Sequence, residues 1–363
     1  MFDLADTNIC FLAGTLGEGG AERQLFYIVR ALREAGAMVR VLTLMNGEFW
    51  QSHIEALNVP VTWVGGEPRR LSRLRRIVRE LRKHPPDIVQ SQHLYTNLYV
   101  AAAARMLGLH DVGAVRGDSL HEARACGAVL GPLSFRAPRV VAANSRAAIR
   151  TAESLGLRRG PFLLLPNVVD TDEFQPVSAP REKPVSLVLV GRFVRQKRID
   201  RFLSIVAQVA RRSPVAVRAT IAGSGPEQVS LTQQAAALGL LPGIVSFRHP
   251  GPRSAAIYAS ADVLVLTSDH EGTPNVILEA MASGVPVVAM RAGDVEEIVR
   301  HGETGFVVDS GDEERMVELL LQLVSNESRR MDMGSAARAH IQANRSLHQL
   351  PMILKSFYGA AVA

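Results

Sequence analysis

The chain has 363 residues, 47% of them hydrophobic and 21% charged, with 41 lysines and arginines against 35 acidic residues and a net charge of +6. That composition excludes a disordered chain, and the length suits two domains that each bury a core. Two cysteines, Cys10 and Cys126, are too few for a disulfide framework or a metal cluster, and no apolar run approaches the roughly 20 residues of a membrane-spanning helix. A soluble protein in a reducing, cytoplasmic setting is expected, and Asp3 and Asp6 stand where a signal peptide would carry basic residues.

In chain order, Ile9 to Ala13 reads as a buried strand, followed by a glycine-rich loop from Gly14 to Gly20. Leu25, Ile28, Val29 and Leu32 then repeat at helical spacing between Ala21 and Glu34, with Gly36 as a stop signal, and Val39 to Leu44 is a second strand. Such a strand–helix–strand unit implies a parallel sheet with right-handed crossovers. Further alternation follows in this half: a strand at Asp87 to Gln90, an alanine-rich helix at Leu98 to Leu107, strands at Val112 to Val115 and Val140 to Ala143, and a helix capped by Asn144 or Ser145. The same plan restarts at Ser186 to Val190, with a basic loop Gly191 to Arg198, a helix Ile199 to Ala210 and a strand Val217 to Ala222. Strands at Ala261 to Leu266 and Val285 to Ala289 flank a helix at Val276 to Ala282, and a helix from Asp312 to Val324 precedes an apolar stretch at Leu350 to Tyr358.

Two α/β domains are therefore expected: residues 1–170, a proline-containing linker at 171–184, a second domain at 185–345, and a terminal helix at 346–363 returning toward the first domain. The basic excess belongs to the first half, because residues 1–183 hold 23 cations and 18 acids, a net of +5, and residues 184–363 hold 18 and 17, a net of +1. Eight of those cations lie between Arg69 and Lys83 with Glu80 as the only acid among them. Leu71, Leu74, Val78 and Leu81 recur every three or four residues there, so the segment is expected to be a helix with an inward apolar face and arginines toward water or an anionic membrane.

The densest chemistry lies in Ser268 to Ala289. After a strand, the chain turns through Gly272 and Pro274 into a helix that Asn275 is expected to cap. The amide groups and dipole at such a helix start attract a phosphate. Glu271 and Glu279 are eight positions apart, so their carboxylates can meet opposite ends of one ligand and accept hydrogen bonds from vicinal hydroxyls. The loop Gly191 to Arg198 supplies Arg192, suited to grip a diphosphate bidentately, and Lys197, a point charge within reach. Acids for hydroxyls and bases for a diphosphate together describe a sugar nucleotide.

With these residues in place, the sequence resembles the retaining glycosyltransferases of family 4. Gly19-Gly20-Ala21-Glu22-Arg23 is similar to the family's N-terminal loop, Leu165-Pro-Asn-Val-Val-Asp170 with Phe174 to its pre-linker signature, Gly191-Arg192 through Lys197 to its phosphate loop, and Glu271 with Glu279 to its two-glutamate motif. Gly293-Asp-Val-Glu-Glu297-Ile, continuing to Gly305-Phe306, is similar to the next stretch. The resemblance spans nearly the whole chain and implies the GT-B fold, two Rossmann-like domains facing across a cleft. It implies that Arg192, Lys197, Glu271 and His93 carry the chemistry. Gly19, Gly20, Arg192, Lys197, Glu271, Gly272, Thr273, Asn275 and Glu279 would contact the donor, and Arg116, in Val115-Arg-Gly-Asp-Ser119, an acceptor or phosphate. Thr273 replaces a bulkier apolar residue, and Arg248-His249 an apolar residue and a glycine in the base pocket.

The reaction so implied is transfer, without metal or cofactor, from a UDP- or GDP-sugar to a glycan or lipid-linked acceptor of surface polysaccharide synthesis. A monomer is expected, in contact with the inner-membrane surface through Arg69–Lys83. A nicotinamide dehydrogenase is disfavoured because Gly14 to Gly20 lacks the G-x-G-x-x-G spacing and the strand ending near Leu44 lacks the ribose-binding acid at its tip. A non-catalytic nucleotide- or nucleic-acid-binding protein using the arginine segment is the alternative. It leaves the two glutamates without a role, and 5% aromatics make a poor stacking platform, so no nucleic-acid partner is expected.

Overall fold

A computed structural model describes residues 3–5, 7–177, 184–249 and 255–363. The chain divides into two units, Met1–Asn167 with His348–Ala363, and Val168–Leu347. In chain order, the first unit contains β1 (Asn8–Ala13), α1 (Gly20–Glu34), β2 (Met38–Thr43), α2 (Phe49–Glu55), β3 (Val61–Trp63), α3 (Arg70–Lys83), β4 (Ile88–Ser91), α4 (Asn97–Leu107), β5 (His110–Val115), α5 (Ser119–Ala125), α6 (Leu130–Arg136), β6 (Val140–Ala143), α7 (Arg146–Ser154) and β7 (Phe162–Leu164). The second unit contains β8 (Val185–Val190), α8 (Ile199–Arg212), β9 (Val217–Ala222), α9 (Gln228–Ala237), β10 (Val245–Arg248), α10 (Ala255–Ala259), β11 (Val263–Leu266), α11 (Asn275–Ala282), β12 (Val287–Met290), α12 (Val295–Ile298), β13 (Gly305–Val308), α13 (Glu313–Ser325) and α14 (Glu327–Asn344). The terminal helix α15 (Leu350–Val362) belongs to the first unit, as the fold resemblance implies.

Both sheets are parallel and doubly wound. Their orders are β3-β2-β1-β4-β5-β6-β7 and β10-β9-β8-β11-β12-β13. Each order reverses once, between β1 and β4 and between β8 and β11, and ligands of such sheets bind beyond the strand ends at that reversal. Period-two burial sorts the second unit's core into two layers. Leu187, Leu189, Ile221 and Val265 face α8 and α13, whereas Val188, Val190, Leu264 and Ala289 face α10, α11 and α14. In the first unit Cys10, Leu12, Leu42 and Val89 pack against α3 and α4. Tyr358 of α15 is fully buried and donates to Gln90 Oε1 at 2.7 Å, which ties the terminal helix to β4.

Buried Asn97 stitches a different seam. Its Oδ1 accepts from Ala114 N at 2.8 Å, and its Nδ2 donates to Ser134 O at 3.0 Å and Ala114 O at 3.2 Å. Truncating it would strand three buried backbone groups, each costing about 1–3 kcal/mol.

Several expectations are corrected. Leu71 is 70% exposed and does not face inward; Val78 and Leu81 are buried as expected, Ile77 is buried with them, and Leu74 packs partly against the same cluster. Ser145, not Asn144, caps α7, accepting from Ala148 N at 3.0 Å. The 18-residue helix α14 carries no apolar stripe and was not expected; it is held by packing on α11 and α13. Within the expected linker, Thr171 to Phe174 is packed into the second unit. Phe174 is fully buried, and Arg338 Nη1 donates to its carbonyl at 3.0 Å. Residues 178–183, including Pro180, lie outside the described residues.

Candidate active site

In the second unit the two loops at the sheet reversal are laced together. Beyond β8, Phe193 is fully buried and anchors the basic loop, and its amide donates to Ser224 O at 2.8 Å. Gly223, after β9, approaches so closely that a Cβ there would lie 1.9 Å from Gly191 O. Asp269 N donates to Gln196 O at 3.0 Å, Gln196 Nε2 to His270 O at 2.7 Å, and Thr267 Oγ1 to the carbonyls of Lys197 and Arg198 at 3.0 and 2.9 Å. Arg201, only 8% exposed, donates to Thr267 O at 3.0 Å and pairs with Asp269 at 3.2 Å. These ties fix the loop after β8 to the loop after β11, and they bring Lys197 Nζ to 2.6 Å from Glu271 Oε1. Arg192 is exposed, and its guanidinium pairs with no acid among the described residues.

Glu271, Gly272, Thr273 and Pro274 are all buried where the chain enters α11. The expected cap is corrected: Asn275 is the first helical residue and Pro274 the cap position, where a proline side chain makes no cap hydrogen bond. Within the first turn Ile277 N donates to Pro274 O at 3.1 Å, and the helix start carries the positive end of the dipole. Glu279, one turn inside and 7% exposed, accepts from the Tyr258 hydroxyl at 2.7 Å. Lys197, Glu271, Gly272, Thr273, Asn275 and Glu279 thus lie along one sheet edge with Arg192.

The other predicted residues lie on the corresponding edge of the first unit. Gly19 and Gly20 sit where α1 begins, and Glu22 folds back so that a Cβ on Gly19 would lie 2.0 Å from its Oε2. His93, after β4, accepts from Gly14 N at Nδ1 (3.1 Å) and faces Glu22 Oε1 with Nε2 at 3.1 Å. A backbone donor at Nδ1 assigns the proton to Nε2, and Nε2–H then points at Glu22. His93 also stacks on Tyr95, the ring centroids 5.2 Å apart. Arg116, after β5, is held by its backbone: its amide donates to Glu122 Oε1 at 3.1 Å and its carbonyl accepts from Asn144 Nδ2 at 3.0 Å. Burial lowers its guanidinium to about 10, against the opposing pull of Tyr358 and Glu122, and burial raises the Glu122 carboxyl.

Sequence reasoning missed Tyr258, Gln196, Thr267 and the Arg201–Asp269 pair. Each acts through a partner 21 to 74 positions away, and a single sequence carries no signal for that. Among the described residues no group of three or more His, Cys, Asp and Glu is placed to hold a metal ion, and no helix is long and apolar enough to cross a membrane. A cavity of about 490 Å³ at Arg291, His301, Asp309 and Arg315 lies at the outer end of the same edge; Arg291 is there paired with Glu296 and Asp309, which leaves it little to offer a ligand.

Two parallel sheets wound about a central reversal, with basic and acidic loops at the strand ends, define a two-domain α/β fold of the GT-B class. Residues 18–173 match the family described as Glycosyltransferase Family 4, and residues 170–340 the family described as Glycosyl transferases group 1. The chain is 30% identical to the GDP-mannose-dependent alpha-(1-6)-phosphatidylinositol monomannoside mannosyltransferase of Mycolicibacterium smegmatis, over 84% of this chain and 89% of that protein. It is also 30% identical to the lipopolysaccharide core biosynthesis glycosyltransferase LpsE of Rhizobium meliloti, over 89% and 90%. Among solved structures it is similar to Anabaena HepE in complex with UDP-glucose, with a TM-score of 0.84 and 22% identity over 97% of this chain and 99% of that one. The chain belongs to the group 1, family 4 glycosyltransferases and is an enzyme of the glycosyl-transfer class.

Proposed function

We propose that the chain transfers a sugar, with retention at the anomeric carbon, from a UDP- or GDP-sugar to a glycan or lipid-linked acceptor in surface polysaccharide synthesis, without metal or cofactor. The observation that carries this reading is the Lys197–Glu271 contact of 2.6 Å, which sets a cation for a diphosphate beside a carboxylate for a sugar at the sheet reversal. Arg192, Lys197 and the first amides of α11 hold the diphosphate, Glu271 meets the sugar, and Glu279 the ribose. On the first unit's own strand-end edge, the glycine loop and His93 are assigned to the donor and Arg116 to the acceptor or a phosphate.

In a front-face reaction the acceptor oxygen bonds to the anomeric carbon as the bond to the diphosphate breaks, and the acceptor proton passes to the departing diphosphate oxygen. The protein's contribution is then electrostatic stabilisation of the leaving group and positioning. A thermal-shift panel of UDP-, GDP-, ADP- and dTDP-sugars tests the reading. One nucleotide class is expected to stabilise the protein, and a tenfold preference corresponds to about 1.4 kcal/mol. A flat panel, or a product of inverted anomeric configuration, sinks the proposal.

The relatives' printed names, a phosphatidylinositol mannoside and a lipopolysaccharide core among them, support an acceptor at the cytoplasmic membrane face. We place the membrane contact on Arg69–Lys83, where Arg69, Arg70, Arg75, Arg79, Arg82 and Lys83 are exposed beside Leu71. The protein should sediment with phosphatidylglycerol vesicles, release as salt rises, and ignore phosphatidylcholine, since each exposed cation contributes about 1 kcal/mol near an anionic surface. Equal binding to both vesicles argues against it.

A further inference from the structure

We infer that Tyr258 is a positioning residue that sets how Glu279 grips the ribose, and that Phe174, beside the pre-linker motif, holds Tyr258 in place; this rests on the proposed reading of Glu279 as the ribose-binding acid. The Tyr258 hydroxyl donates to Glu279 Oε2 at 2.7 Å, and both side chains are buried, Tyr258 completely. A hydrogen bond from a neutral donor to a carboxylate is short and strong, and it fixes the plane of the carboxylate as well as its place. That plane decides where the carboxylate lone pairs point, and a vicinal diol binds well only when two of them meet its two hydroxyls.

Tyr258 has little freedom to move. Its ring meets Phe174 edge-on at 5.9 Å and 64°, within the core layer that also contains Ile277 and Met281 of α11. Phe174 in turn is fixed by its amide, which donates to Asp170 O at 3.0 Å, and by Arg338, which donates to its carbonyl and to that of Ala282 in α11. The segment just after the crossing into the second unit is thereby fastened to the helix that carries Glu279. This gives the pre-linker motif a physical task.

The test compares affinities for UDP and GDP with those for their 2′,3′-dideoxy analogues, using the full chain. The ratio of dideoxy to ordinary dissociation constants reads the ribose grip alone. Tyr258→Phe keeps the ring and is expected to lower that ratio about tenfold, the scale of one hydrogen bond to a charged group. A merely structural defect would weaken both nucleotides alike and leave the ratio unchanged, and that result overturns the inference. Glu279→Gln separates the two readings. If it leaves the ratio unchanged, Glu279 does not bind ribose; if it lowers the ratio and Tyr258→Phe does not, only the role of Tyr258 fails. Phe174→Leu keeps the hydroxyl and should lower the ratio about two- to fivefold through a looser ring contact; an unchanged ratio there overturns the buttress even if Tyr258→Phe does not fold. A wild-type protein that binds neither nucleotide removes the donor reading and this inference with it.

Discussion

Lys197→Ala is expected to slow turnover by roughly two to three orders of magnitude, the loss seen when one preorganised donor to a developing negative charge is removed. In the proposed reading the leaving group is a diphosphate, and Lys197 is one of two cations, with Arg192, that the loop after β8 presents to it. The lysine also has a second task. Its side chain is 15% exposed and that of Glu271 9%, so the 2.6 Å pair is mostly removed from water. Truncation therefore strands a carboxylate as well as deleting a cation, which adds a stability loss on the order of 2–3 kcal/mol. The double variant Lys197→Ala/Glu271→Gln separates the two effects. It should recover most of the lost melting temperature because no charge is left unpaired, yet turn over no faster than the single variant, since Glu271 is itself assigned to the sugar. Single-turnover rates beside melting curves for both proteins decide the matter. A single variant that turns over near the wild-type rate would show that the lysine does not serve the leaving group.

Much of the fold is legible in residue patterns because most of the central strands are runs of apolar residues, such as β8, β11 and β12, buried on both faces. Val217–Ala222 and Val140–Ala143 are found where they are expected, and the strands at Ile9 and Ser186 begin one residue earlier than expected. The short outer strands β3, β7, β10 and β13 have three or four residues each, too few to show a period, and only their pairing to a neighbour defines them. Helix α14 is obscure for the opposite reason: its residues are mostly polar and small, and Gly334 lets its backbone approach Gly284 so closely that a Cβ would lie 2.1 Å from that carbonyl. Such contacts are tertiary facts without local trace.

The site divides in the same way. Arg192, Lys197 and Glu271 are legible as charged residues in loops that follow apolar strands, and Glu279 by its spacing from Glu271; their types match one ligand. What holds them is not legible. Gln196 reads as an ordinary polar loop residue until its amide is seen on His270 O, and Tyr258 as an ordinary core aromatic until its hydroxyl is seen on Glu279. For His93 the family resemblance implies a side chain turned toward the donor. Both ring nitrogens are instead engaged within the first unit, by Gly14 and Glu22, so any donor contact must compete with the Glu22 carboxylate for Nε2–H.

Gly293 supplies the sharpest test of how tightly this edge is built. It adopts φ +55, and a Cβ there would lie 2.2 Å from Gly272 O and 2.5 Å from Glu271 O, distances that no side chain tolerates. The next residue reinforces the contact, since Asp294 N donates to Gly272 O at 2.9 Å. Gly293→Ala must therefore push the backbone of Glu271 and Gly272 away from α12 and move the Glu271 carboxylate relative to Lys197. A displacement of about 1 Å at a reacting centre costs on the order of 100-fold in rate. Gly302→Ala is the matched control: Gly302 adopts φ +83 with no neighbouring atom within 4 Å of the added carbon. Both variants carry the left-handed backbone penalty of about 1–2 kcal/mol, but only one carries the clash. Gly302→Ala should thus melt a few degrees lower and turn over normally, whereas Gly293→Ala should lose about 100-fold in kcat/KM at temperatures where it remains folded. Equal rates in the two would mean that the Glu271 backbone can yield without consequence, and the carboxylate would then have no exacting place in the reaction.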